Sequence, residues 1–358
     1  MKTTNNPSTT AKAVVWTRMS NVMNYTEPVS VTQAMEDLGD FQVEKQHLVA
    51  VPNSFIEALE RGEAINLAVL KDNLLTNTMA TVRTDSNEVL GVVGNNYGIV
   101  QNRTAFEFLD TLASGEVGGN KSMIETCGYF RNGGKVFVTC RMGEDFYLPD
   151  SPKDKINDYL IFSNTHDGSG GVSVLFSPVR VICQNTLNMA LKHFSAKLSF
   201  RHSSRVNERL DLTQEENVKR AVQVLEMHKR FKEEFIGKLY NLSTERIDRN
   251  APVKFAVELF CDKKQVELAQ KANWNIDEVG EIALRTKGSI NALLASIESG
   301  VGQEDYRGTK LWLYNGLTTF YANDFKYSNT DIEFESRFNP NGNTAKRIEQ
   351  GYKLLASA

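Results

Sequence analysis

Apolar and polar positions alternate with a period of two through the middle of the chain. In YLIFSNTHDGSGGVSVLFSPVRVICQNTLNMALK, residues 159–192, two runs of β-branched and aromatic residues flank Asp167–Gly171. That order predicts strand, tight turn, strand, proline and strand. Pro178 cannot donate a ladder bond, so its strand is expected at a sheet edge or bulge. Asn185 or Thr186 is positioned to cap a helix whose apolar face would be Leu187, Ala190, Leu191, Phe194 and Leu198. Two more hairpins precede this stretch. TMATVRTDSNEVLGVVGNNYGIVQ (78–101) turns at Asp85–Asn87, and MIETCGYFR and KVFVTCRM flank Asn132-Gly133-Gly134.

Helical spacing dominates elsewhere. Thr32–Asp40 and Ser54–Leu75 predict helices around a short strand at 47–51, with Ser54 as a cap and Glu57 three residues on. Asn102 or Thr104 should open a helix burying Phe106 and Leu109. After Asp211 the pattern becomes helical throughout. A capping box, Thr213 to Glu216, starts a long helix with Val218, Val222, Leu225, Phe231, Phe235 and Leu239 on one side. GTKLWLYNGLTTFYAND is expected as a buried aromatic helix and TAKRIEQGYKLLA as the last one. The predicted class is α+β: a mostly antiparallel sheet built from hairpins with flanking helices, then a helix-rich C-terminal part. The expected division is a flexible polar arm over 1–30, an α+β core over 31–212 and a helical region over 213–358.

The 358 residues suffice for one large domain or two ordinary ones, and 41% hydrophobic with 24% charged residues indicates a folded globular chain. No apolar run approaches the ~20 residues of a membrane helix. The opening MKTTNNPSTTAKAVVWTRMS lacks a long apolar core, so no secretion signal is expected. Cys127, Cys140, Cys183 and Cys261 form no CxxC pair, which points to free thiols and a cytoplasmic setting. Cys127 faces Cys140 if Gly133-Gly134 is the hairpin loop, and does not if Asn132-Gly133 is. Charge is uneven: seven carboxylates against two cations leave −5 over Val31–Glu63, and six cations against Glu208 leave +5 over Val179–Leu210.

The candidate chemistry is sparse. His166 beside Asp167 would suit acid–base work, but Asp-Gly followed by Ser-Gly-Gly is first of all a turn. The histidines show no HExxH or comparable spacing, so no metal is expected. GVVGNNYG lacks both phosphate-loop spacings and reads as a strand exit; no cofactor is implied. Cys183 at a strand-to-helix junction is read as a buried small residue. Arg180, Lys192, Lys197, Arg201, Arg205 and Arg209 form a basic strip, and Phe200, with Tyr97, Tyr129 and Phe130, could stack on bases.

YGIVQNRTAFEFLDTL, FSNTHDGSGGVSVLFSPVRVICQNTLNMAL and RGTKLWLYNGLTTF together resemble the phage/plasmid-like domain family of unknown function, found in bacteriophages, prophages and conjugative plasmids. Asn323-Asp324 departs from that family's pattern, which ends in an acidic or His pair. The resemblance implies a mobile-element protein in a bacterial cytoplasm and no particular chemistry. In outline the hairpin–helix pattern is also similar to single-strand annealing proteins of the RecT and Red-beta kind. The expectation is a single-stranded DNA (or RNA) binding accessory protein, by a mechanism that needs no bond-making, acting as a homo-oligomer without membrane contact. Its rivals are a hydrolase or nuclease using His166 and Asp167, and a host-factor-binding phage protein.

Overall fold

The computed structural model describes residues 14–357 except 65, 114–121, 143–144, 149–150, 181–184, 187–196, 204, 206–214 and 340–341. Among the described residues the strands are β1 (Val22–Val29), β2 (Val43–Val49), β3 (Leu74–Arg83), β4 (Val89–Gly94), β5 (Ser122–Phe130) and β6 (Lys135–Met142). They continue with β7 (Phe146–Leu148), β8 (Ser151–Thr165), β9 (Val172–Arg180), β10 (Asn185–Thr186) and β11 (Lys197–Phe200). The helices are α1 (Val31–Asp37), α2 (Asn53–Glu60), α3 (Asn102–Ala113), α4 (Glu215–Thr244) and α5 (Ala251–Phe260). They end with α6 (Lys263–Lys271), α7 (Leu284–Ser299), α8 (Lys310–Thr319), α9 (Thr330–Phe338) and α10 (Asn343–Ser357).

The expected α+β architecture is the one observed. β1-β5-β6-β8-β9-β10 form one antiparallel sheet of eight strands, with β11 also on β9 and β7 also on β8, and β2-β3-β4 form a second sheet of three. Alternation along the strands gives the large sheet two buried faces. Val136, Val138 and Cys140 of β6 and Leu160 and Phe162 of β8 lie on the inner face. They share one apolar cluster with α1, α3, α4 and most of the later helices. Phe137, Tyr159 and Ile161 lie on the outer face, against Val15, Trp16, Phe334 and Phe338. The packing therefore does not break where the composition changes near residue 212.

Several expectations are corrected. The polar arm expected over 1–30 does not extend through the described residues: Val14, Val15, Trp16 and Met19 are buried on the outer face and β1 pairs with β5. A short apolar cluster containing a Trp outweighs the Asn and Thr around it, because one aromatic ring buries so much area. The helix expected over 54–75 stops at Arg61–Gly62, where Gly62 takes φ +70°, and Pro52 rather than Ser54 occupies the N-cap. The helix expected after Asn185 falls on residues outside those described. Asn185 and Thr186 instead pair with Arg180 and Val179, and Leu198 belongs to β11, opposite Val174.

Other details follow the sequence. Pro178 lies on β9 between the stretches that pair with β11 and with β10, where the described residues form no outer ladder. In the β5–β6 hairpin Phe130 pairs with Lys135 and Cys127 with Val138, the register that separates the cysteines. Arg131, Asn132 and Gly133 all take positive φ there. Cys127, Cys140 and Cys261 are free thiols.

Candidate functional site

β8 carries its alternation past its own end, and this sorts the residues around THDGSGG. Asn164 and His166 keep the parity of Leu160 and Phe162 and enter the inner core, while Ser163 and Thr165 follow Ile161 to the outer face. Asn164 Nδ2 donates to the Val100 carbonyl at 2.9 Å and to Asn102 Oδ1 at 3.0 Å. His166 Nε2 meets the same Asn102 oxygen at 2.9 Å, so the ring donates from Nε2. Burial, with a smaller contribution from His202, lowers the His166 pKa to about 3 and keeps the ring neutral.

The backbone of the turn is fixed from several sides. Thr81 Oγ1 donates to the His166 carbonyl at 2.7 Å, Tyr97 Oη to the Thr165 carbonyl at 2.7 Å, and His166 N to Gly134 O at 2.6 Å. Tyr97 stacks on His202 at 4.7 Å, and His202 is held to the Gly98 carbonyl at 3.0 Å. Asp167 turns the other way. It accepts from Ser169 N at 2.9 Å and pairs with Arg131 at 2.6 Å. Burial pushes its carboxyl up, but the bonds from Ser169 and Arg131 prevail and leave it below the usual range. His166 and Asp167 are thus a buried neutral donor and an ion-paired turn residue. Neither presents a titrating group where a substrate would meet both.

The basic strip is placed only in part. Arg201 and Arg205 are exposed. Arg180 and Lys197 occupy strand positions opposite Ile156 and Leu175, and Lys192 and Arg209 lie outside the described residues. Phe200 is corrected from stacking platform to core, with 7% of its surface exposed. Phe130 is buried, and Tyr129 lies edge-on to Phe41 with the Arg83 guanidinium over both rings. Among the described residues no group of three or more His, Cys, Asp or Glu could hold a metal ion. No helix there is long and apolar enough to cross a membrane.

A second feature combines what the strip is expected to supply. α8 runs into a π turn over Phe320–Asp324, and the chain then leaves along Phe325–Ser328 beside α10. Such turns widen a helix by one residue and splay its side chains. The result is a groove of about 750 Å³ walled by Phe260, Tyr321, Phe325 and Tyr327. Lys326, Lys346 and Arg347 also line it, and among its described lining residues there is no carboxylate. Phe325 is 38% exposed, its ring 5.3 Å from Tyr321 and 4.8 Å from Tyr327. Arg347 lies 5.9 Å from the Phe260 ring and donates to the Leu259 carbonyl at 2.7 Å. Burial raises the Tyr327 hydroxyl to about 12 and the Tyr321 hydroxyl further, so both remain uncharged. The sequence signal for this groove is Phe325-Lys326-Tyr327 with Lys346-Arg347. The apolar residues around it mask that signal, because they read as a buried helix.

A family model described as Domain of unknown function (DUF932) matches residues 89–347, a span that takes in both the THDGSGG turn and the groove. No curated protein and no solved structure matches the chain.

Proposed function

The chain belongs to the DUF932 family, a domain of unknown function, and from that premise we propose that it is a single-stranded nucleic-acid-binding accessory protein of phage or plasmid DNA metabolism. The observation that carries the reading is the groove between the π turn and α10. Exposed cations alternate there with aromatic rings, and no lining carboxylate opposes them. A single strand needs both elements. Lys326, Lys346 and Arg347 neutralise phosphates and release counterions, while Phe325 offers a π face on which any base stacks. The tyrosine hydroxyls beside it are uncharged and do not repel the backbone. Arg201 and Arg205 are exposed cations of the kind that would extend the path.

The phage or plasmid setting is supported by the family resemblance of the three quoted segments. Strand annealing is the activity such binding would serve, because stacking without base-edge readout leaves pairing edges open to a second strand. Annealing calls for several subunits along one strand, hence a homo-oligomer.

A mobility-shift titration of labelled oligonucleotides across a salt series tests the reading. Log K should fall linearly with log salt. Replacing Lys326, Lys346 and Arg347 by Ala should flatten that slope by about 0.7 for each phosphate no longer neutralised. Phe325→Ala should weaken binding by about 1–3 kcal/mol at every salt concentration and leave the slope unchanged. Arg201→Ala with Arg205→Ala should flatten the slope independently. An absence of binding at low salt would overturn the reading.

A further inference from the structure

We propose that the cleft on the outer face of the large sheet, beside the THDGSGG turn, is a binding site for an uncharged heterocycle of nucleobase size. Its floor is the outward face of β8 and β9, its roof is α9, and its end is the turn itself. The space in the cleft is about 220 Å³, with room for one small ring system and no more.

The lining selects the ligand. Ser163 and Ser173 face each other across β8 and β9, their hydroxyls 2.8 Å apart, and the cleft is also lined by Thr165, Ser169 and Asn339. A hydroxyl can turn to donate or to accept, so this floor suits a ring edge that mixes both roles, as nucleobase edges do. Phe334 and Phe338 line the cleft from the roof and give it an apolar wall for a flat ring. Charge is cancelled inside. Lys135 of β6 pairs with Glu335 of α9, both as lining residues. A phosphate would meet the Glu335 carboxylate, and a cation would find Glu335 already neutralised. An uncharged polar ring meets neither objection.

The turn behind the cleft is built to stay still. Asn102, Asn164, Thr81 and Tyr97 hold residues 164–166 from the inner side through buried hydrogen bonds. Apolar residues would fill that space without the desolvation cost of burying three amide and imidazole groups. A rigid inner support is what a binding loop requires of the shell behind it. At the other margin a side chain on Gly171 would collide with the Phe200 carbonyl, so only glycine lets β11 approach here. Exposed Arg201 follows directly.

The ring can arrive as a free nucleoside or as an unstacked base of a strand. Only the second source rests on the strand-binding reading. Two measurements on the full chain separate them. In saturation-transfer NMR, adenosine, guanosine, cytidine and uridine are offered singly to the wild type, to Ser163→Ala/Ser173→Ala, to Ser169→Ala and to Lys326→Ala/Lys346→Ala/Arg347→Ala. In the shift assay, an oligonucleotide is compared with the same oligonucleotide carrying one abasic position. Alanine removes only each hydroxyl and adds no bulk to the floor, and Ser169 is exposed, so at least one cleft variant stays folded.

For a free ligand, a nucleoside should bind the wild type and the groove variant alike. It should lose about tenfold for each hydroxyl partner removed, as for a hydrogen bond in a closed site. For a strand base, nucleosides give no signal, the abasic oligonucleotide binds about tenfold more weakly than its parent, and that difference vanishes in the serine variants. The proposal is overturned if no nucleoside binds and the abasic position changes nothing, even where the groove binds the strand normally. Conversely, nucleoside binding without any oligonucleotide shift upholds the cleft and removes the strand-binding reading.

Discussion

His166 shows how far a residue's role depends on its register. Its place in an Asp-Gly turn is legible from the sequence. Its burial is hidden there, because the turn residues mask how far the strand's alternation extends. The parity of Leu160, Phe162, Asn164 and His166 is the signal that puts the imidazole in the core. The consequence is a pH dependence. His166 moves from an ordinary 6.5 to about 3 on folding, through burial first, so the unfolded chain binds the proton more tightly. Its contribution to stability is therefore complete above pH 6.5 and is lost progressively as pH falls toward 3. His202, lowered chiefly by burial, acts in the same direction. Asp167, held below the usual carboxylate range by Ser169 and Arg131 against burial, acts in the same direction at more acidic pH. Urea unfolding between about pH 7.5 and 4.5 should show stability falling by about 1.4 kcal/mol per pH unit for each proton taken up. His166→Gln should remove about one proton from that slope. An unchanged slope would place the imidazole in contact with solvent.

Elements are recovered unevenly, and the reasons are physical. Hairpins with Gly and Asn between alternating runs are legible, including β5–β6, where the sequence narrows the register to two. Period-two alternation survives in one sequence because it depends on near neighbours only. The first segment is hidden, since its polar composition obscures Val14, Val15 and Trp16. Trp16 contacts Tyr159 of β8 at 5.5 Å and Phe338 of α9 at 5.2 Å between ring centroids, so it ties a sheet strand to a late helix. Arg18 adds an ion pair to Glu333 on the same helix. Trp16→Ala should destabilise the protein by about 3–5 kcal/mol, the range for emptying a buried aromatic site. Denaturant midpoints measure this, and Trp16→Phe should restore much of the stability. A cost under about 1 kcal/mol would show that the segment is as loosely held as its composition implies.

At the scale of the molecule the change of composition near residue 212 looks like a domain boundary, and the packing crosses it. α4 is the reason. Phe231 stacks on Phe176 of β9 at 6.4 Å and Phe235 meets Phe146 of β7 edge-on at 6.1 Å, while Leu239 and Leu242 continue into the helical layer. These rings join elements tens of residues apart in the chain, and no single-sequence pattern encodes which helix covers which strand. The groove shows the same limit. Its walls come from α5, the π turn and α10, and only their packing brings Phe260 and Arg347 to Phe325. If the inner face and the helices share one core, they should lose structure together. Phe235→Ala should cost about 3–5 kcal/mol. In hydrogen exchange it should lower protection in β7–β9 and in α8–α10 by the same free energy, because both open in one global event. Loss of protection confined to the helices would instead mean that residues beyond 212 unfold on their own. The groove would then belong to a separate body, and its oligonucleotide affinity would be lost under conditions that leave the sheet folded.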